Sequence, residues 1–145
     1  MESRYLYRGK RIDNGEWVEG HLITDEKDDL KYFIGYVLGT DEDGSPHDLD
    51  AVQVDPSTVC RCTGLKDKKG KLIWENDIVV GHIKRGAAFR SCVVLWNECK
   101  ARFDIRAVDC NFPMTLDECV DDISVGGLDY EVLGNKFDNP ELLEG

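Results

Sequence analysis

The stretch RYLYRGKRIDNGEWVEGHLI, residues 4–23, decides the fold class. From Arg4 to Arg8 the residues alternate, which puts Tyr5 and Tyr7 on one face of an extended strand. Asp13-Asn14-Gly15 follows. An Asn-Gly pair is the strongest short-range hairpin signal, because both residues tolerate positive φ. Glu16 to Ile23 then resumes as a strand, with Trp17 as its large apolar residue. Strand, turn and strand are written in a few residues, with no helical period among them.

The same grammar runs outward from there. Asp25 to Asp29 is a polar turn, and Leu30 to Leu38 is a strand rich in aromatic and branched residues. Asp41 to Asp48 is a loop holding Gly44 and Pro46. Its acidic residues invite comparison with a calcium loop. Setting Gly44 at the sharp turn puts Gly39 where the first carboxylate ligand belongs and Asp50 where a bidentate Glu is usual, so the match fails. Leu49–Val54 and Val59–Thr63 are strands on either side of Asp55-Pro56-Ser57. Asp67-Lys68-Lys69-Gly70 is a turn, Leu72–Trp74 a short strand and Ile78–Ile83 another. Lys84-Arg85-Gly86 turns the chain, and Phe89–Trp96 pairs with Ala101–Val108 across Asn97–Lys100.

Two short helices complete the pattern. Thr115 and Glu118 form a capping box after Pro113, which predicts one or two helical turns through Val120. After the last strand, Leu128–Leu133, Asn139-Pro140 opens a final turn carrying Leu142 and Leu143. The fold is therefore read as mainly β, with N-terminal β-hairpins or a meander in residues 1–59. Between residues 64 and 108 turns recur about every 8 to 12 residues, which suits a small closed barrel in the region 60–145. The two regions are expected to pack as one compact unit. There is no internal repeat.

Composition narrows the classes. The chain has 145 residues and is 41% hydrophobic, enough for a core without a disulfide or metal staple and too apolar for disorder. No apolar run is long enough to span a bilayer. The start, MESRYLYRGKR, has no apolar stretch behind its charges, so no export signal is read there. That makes a reducing setting the expectation, with the six cysteines as free thiols. Cys60 and Cys62 are two apart, while Cys92, Cys99, Cys110 and Cys119 are scattered. No C-x-x-C pair exists, so no metal is expected, and no cofactor motif suggests another group.

The formal charge is −11, unevenly spread. Residues 1–59 hold 6 basic and 14 acidic side chains, residues 60–106 hold 11 and 5, and residues 107–145 hold 1 and 10. The basic middle is where a nucleic-acid interface would lie. Lys68, Lys69 and Lys71 stand just before Trp74, and Arg85 follows, so these five residues form the candidate site. The alternative buries Trp17, Trp74 and Trp96 in the core and lets the acidic ends neutralise the middle.

Catalytic chemistry finds no comparable foothold. His21, His47 and His82 are the candidate bases, but none stands beside a nucleophile signature. The neighbouring carboxylates Asp28 and Asp29, and Asp121 and Asp122, would face opposite ways on a strand and read as solvated turns. No enzyme activity is expected.

Three blocks carry a family resemblance: YLYRGKRIDNGEWVEG at 5–20, VDPSTVCRCTGLKDKKGKLIWENDIV at 54–79, and YEVLGNKFDNPELLE at 130–144. In these the chain resembles the YopX family, typical of bacteriophages and prophages. The resemblance implies an SH3-like barrel in the second half and the cytoplasm of a bacterial host, and no activity. It also marks departures. Asn76 stands where the family usually has Gly; Asn tolerates a left-handed backbone, and Asp77 beside it can accept nearby N–H groups. Cys60-Arg61-Cys62 replaces a Gly-Gln pair and an aromatic. These two same-face thiols are either small core residues or a reactive pair beside Arg61 or Lys66.

The leading functional expectation is a non-enzymatic interaction protein that binds a host or phage protein and self-assembles through its strand edges into a homo-oligomer. The alternative is a nucleic-acid-binding β-barrel module using residues 60–106. No membrane association is expected.

Overall fold

A computed structural model describes residues 5–27, 29–83, 88–107, 114–115 and 128–144. Its elements are strands in antiparallel sheets, with two short 3-10 turns. The mainly β reading holds. No helix among the described residues is long and apolar enough to cross a membrane. The chain divides into two compact units, residues 1–62 and 63–145.

In the first unit, β1 (Tyr7–Lys10), β2 (Trp17–Asp25), β3 (Lys31–Thr40) and β4 (Pro46–Val54) form a meander. The chain then returns: β5 (Cys60–Lys66) pairs with the other side of β1, Tyr7 opposite Arg61 and Arg8 opposite Cys60. The order is β4-β3-β2-β1-β5. The loop joining β1 to β2 is longer than the two-residue turn an Asn-Gly pair predicts. Arg11 N–H donates to Glu16 O and Gly15 N–H to Arg11 O, both at 2.9 Å. Gly15 is left-handed at φ 72, whereas Asn14 is not, and the Asn14 Oδ1 accepts the Glu16 N–H instead.

The strands of this sheet approach closely at two glycines. A Cβ on Gly35 would overlap the carbonyl oxygen of Asp50, and one on Gly20 would meet the Gly35 oxygen at 2.8 Å. Only residues without side chains allow strands to approach so closely. The end of β4 also meets the end of β1. Val54 bridges Arg11, Ile12 N–H donates to Gln53 O at 3.1 Å, and Asp55 N–H donates to Lys10 O at 2.8 Å. Inside lie Ile34, Val54, Cys60 and Cys62, almost fully buried. Burial of Ile34 or Val54 is worth about 1.5–3 kcal/mol each. A 3-10 turn at Pro56–Thr58, capped by the Asp55 carboxylate on the Ser57 N–H, delivers the chain into β5.

In the sheet order β5 lies between β1 and β6 (Leu72–Trp74), and Gly64 within β5 is left-handed at φ 79. The second unit continues with β7 (Asp77–Ile83), β8 (Ala88–Asn97), β9 (Arg102–Ala107) and β10 (Met114–Thr115), again a meander. Then β11 (Leu128–Asn135) returns to the other side of β7, giving β10-β9-β8-β7-β11. Both units thus share one connectivity, a four-stranded meander whose first strand receives a fifth. The core of the second unit is Ile73, Val79, Cys92, Val94, Ile105 and Tyr130, flanked by Leu65, Phe103 and Val132. Among the described residues this sheet ends at β10 and β11 and is not closed, so the closed barrel suggested by turn spacing is not what is seen.

Several turns behave as their residues dictate. Asn76 is left-handed at φ 69, and the Asp77 Oδ2 accepts the Trp74 N–H at 2.8 Å, holding β6 against the start of β7. Asn135 Oδ1 accepts the N–H groups of Phe137 and Asp138, both at 3.0 Å, before the last 3-10 turn, Pro140–Leu143. Asn139 occupies that turn's cap position, but its Oδ1 reaches back to the Asn135 N–H at 3.3 Å instead of capping. Thr115 pairs with Asp104 as the end of β10. Residues 116–120, where a helix was expected, lie outside the described residues.

Candidate functional site

Lys68, Lys69 and Lys71 come together on the turn between β5 and β6, all exposed. Asp67 builds that turn. It is buried, and its Oδ1 accepts the N–H groups of Lys69 and Lys71, both at 2.9 Å. Part of the turn's charge is already paired, however. Glu131 on β11 lies 2.6 Å from Lys69 Nζ and 3.2 Å from Lys68 Nζ. These two ammonium groups, Lys69 first, hold the Glu131 carboxyl down to about 2, and Glu131 in turn raises Lys69. Phosphate binding here would have to displace a carboxylate already shared by two of the three lysines.

The remaining members of the predicted interface are not beside them as working groups. Trp74 is only 2% exposed, so its indole presents no face for a base to stack on, and the stacking role read from the sequence is corrected. It sits with Ile73 at the buried end of β6. Arg85 lies outside the described residues. Trp17 is covered by cations, with the Arg8 guanidinium 4.7 Å and the Lys10 ammonium 5.4 Å from its ring centre. Trp96 packs edge-on against Phe103 at 4.9 Å.

The other reactive side chains are similarly placed. Cys60 and Cys62 are buried, and the Cys60 thiol donates to Thr58 O at 3.2 Å, so they are core residues and not an exposed redox pair. Cys110 and Cys119 lie outside the described residues. His21 meets Tyr36 edge-on at 5.8 Å, while the side chains of His47 and His82 lie outside the described set. Among the described residues no three His, Cys, Asp or Glu side chains are grouped to hold a metal.

A cleft in the first unit was not visible in the sequence. It has a volume of about 210 Å³. Val18, Ile34 and Val52 line it with apolar surface beside the backbone of Gly35, and Arg11, Glu19, Tyr36 and Asp50 supply the polar and aromatic lining. The register explains the arrangement: Ile34 stands opposite Val52, and Tyr36 opposite Asp50. Arg11 is engaged by Asp13 through two bonds, Nε to Oδ1 at 2.9 Å and Nη2 to Oδ2 at 2.7 Å. That pairing raises Arg11, with smaller contributions from Glu16 and Asp50, and lowers Asp13. Chemically the cleft offers apolar contact and a charged margin, the pattern of a recognition surface. The only sequence signal for it is the pair of glycines, Gly20 and Gly35, inside strand-like runs.

No curated protein matches the chain. The family model described as YopX protein matches residues 6–144, and the chain belongs to the YopX family.

Proposed function

We propose that this protein works by binding another protein, without catalysing a reaction, and that the cleft of the first unit is its contact surface. The observation that carries the reading is the cleft's composition: apolar side chains from β2, β3 and β4 inside a margin of charge and an exposed tyrosine. Interfaces combine an apolar centre with a polar rim in this way, and tyrosine is enriched in them. The scaffold is read as SH3-like, since a meander whose first strand receives a fifth is a connectivity from which a small, partly open barrel is built. Family membership supports a phage or prophage setting in the cytoplasm of a bacterial host, and the sheet edges offer a route to self-assembly.

The test is a tagged capture from bacterial lysate, run with and without nuclease, comparing wild type with Tyr36→Ala. Tyr36 is exposed, so its removal should leave the fold intact. A stoichiometric protein that survives nuclease and is lost from the variant supports the reading. Partners that vanish with nuclease overturn it, and move nucleic acid and the Lys68, Lys69, Lys71 turn to the front. Light scattering on the purified chain reads self-assembly separately.

A further inference from the structure

Resting on that reading, we infer that the cleft receives a lysine or arginine side chain from an extended basic segment of the partner. Three features define this occupant. The first is size. At about 210 Å³ the cleft is smaller than the pockets that hold drug-sized ligands and cofactors, and suits one long side chain. The second is the apolar lining. The half-buried Val18 and Val52 give methylene groups a surface to cover, and lysine and arginine bury their stems in this way while keeping the charged head at the margin.

The third is charge. Of the ionised groups in the lining, Arg11 is the one cation, and its guanidinium is held in a two-point pair by Asp13. Glu19 and Asp50 are the acidic residues of the lining, and they set the sign of the margin. An anionic guest would face both, whereas a cation is drawn to them and to the exposed ring of Tyr36. The surrounding sequence has the same sign, since residues 1–59 carry 14 acidic against 6 basic side chains.

The experiment is an amide NMR titration of the full chain with Nα-acetyl-lysine amide, its arginine counterpart, and the norleucine and glutamate analogues as controls. The lysine and arginine probes should shift the amides of Val18, Gly35, Tyr36 and Val52 in a saturable way at millimolar concentration. The double variant E19Q/D50N should weaken this at least tenfold without lowering the melting temperature, and 0.5 M salt should weaken it too. No shift, or equal shifts from norleucine, overturns the inference. If the lysine probe fails while Tyr36→Ala still abolishes capture of a protein, the binding reading stands and only the cationic occupant is wrong. If the probe binds but no protein is captured, the cleft's chemistry is upheld and the proposed function fails. Cleft amides that shift on dilution of the protein alone, with a fall in mass, would make the occupant a second copy of this chain and overturn the separate partner.

Discussion

Asp67 Oδ2 accepts the backbone N–H of Val132 at 3.1 Å, tying the β5–β6 turn to a strand 65 residues later. Its other oxygen holds the turn itself through Lys69 and Lys71. Burial by itself raises this carboxyl, but the three backbone donors outweigh it and leave Asp67 below the ordinary value of 3.8. Asp67→Ala removes acceptors from all three donors and is expected to cost about 2–3 kcal/mol. Asp67→Asn keeps one oxygen and should cost less. The sign with pH follows from the lowered value: the stabilisation is complete above the ordinary carboxylate range and is lost as pH falls through the folded value. Urea unfolding should therefore show a wide gap between wild type and Asp67→Asn at pH 7, closing toward pH 2.

Glu131 offers a titration to check directly. Because Lys69 and Lys68 both bind its ionised form, carboxyl NMR should place its midpoint near 2 and not near 4.5. Lys69→Met removes the larger influence and should move the midpoint upward. Added salt should do the same, since these side chains face solvent and their attraction is screened. A midpoint at the ordinary value would mean that the lysines are open to other anions, and would restore the case for a phosphate-binding turn.

How far the sequence reaches depends on how local each feature is. Leu72–Trp74 is read to the residue, and the other strands except β10 within a few positions, because alternation and turn chemistry act over neighbouring residues. The roles of Asn76 and Asp77 are legible for the same reason. The recurrence of one connectivity in two units is not legible, since the β1–β5 and β7–β11 pairings join segments with no likeness in sequence. Nor is the cleft, which depends on the β3–β4 register and on irregular pairing around Gly39. The Lys68 and Lys69 turn looked basic only because Glu131, its counter-charge, arrives from a distant strand.

Ala101 is exposed at the end of the β8–β9 turn with φ 50. A side chain in the left-handed region costs roughly 1–2 kcal/mol, and glycine relieves this while loosening the unfolded chain. Ala101→Gly should stabilise the protein by about 0.5–1 kcal/mol in a urea titration. A destabilised variant would show that Ala101 does not hold this backbone conformation.

Gly35 tests the close approach of β3 and β4 beside the cleft. An added methyl would overlap the Asp50 carbonyl oxygen, a backbone atom of the paired strand that cannot swing aside. Gly35→Ala should cost at least about 3 kcal/mol and broaden the amide signals of β2, β3 and β4. Gly44→Ala is the control: an added Cβ there meets nothing within 4 Å, so only the strain of φ 86 remains and the loss should be smaller.

The thiols separate core from surface. Cys60, Cys62 and Cys92 are buried, while Cys99 is exposed. In a Cys110→Ser, Cys119→Ser background, an aromatic disulfide reagent should modify one thiol at once and the other three only as the protein unfolds. Adding Cys99→Ser should abolish the fast phase. Rapid reaction of Cys60 or Cys62 in the native state would reopen a redox role, because thiolate chemistry requires access. Replacing Cys60 by Ser gives a second reading of the same site. A hydroxyl forced into the position of a buried thiol costs roughly 1–3 kcal/mol if it is not hydrogen-bonded. Here Thr58 O is already placed to accept from that side chain, so Cys60→Ser should fall at the low end of that range, as measured by its urea midpoint.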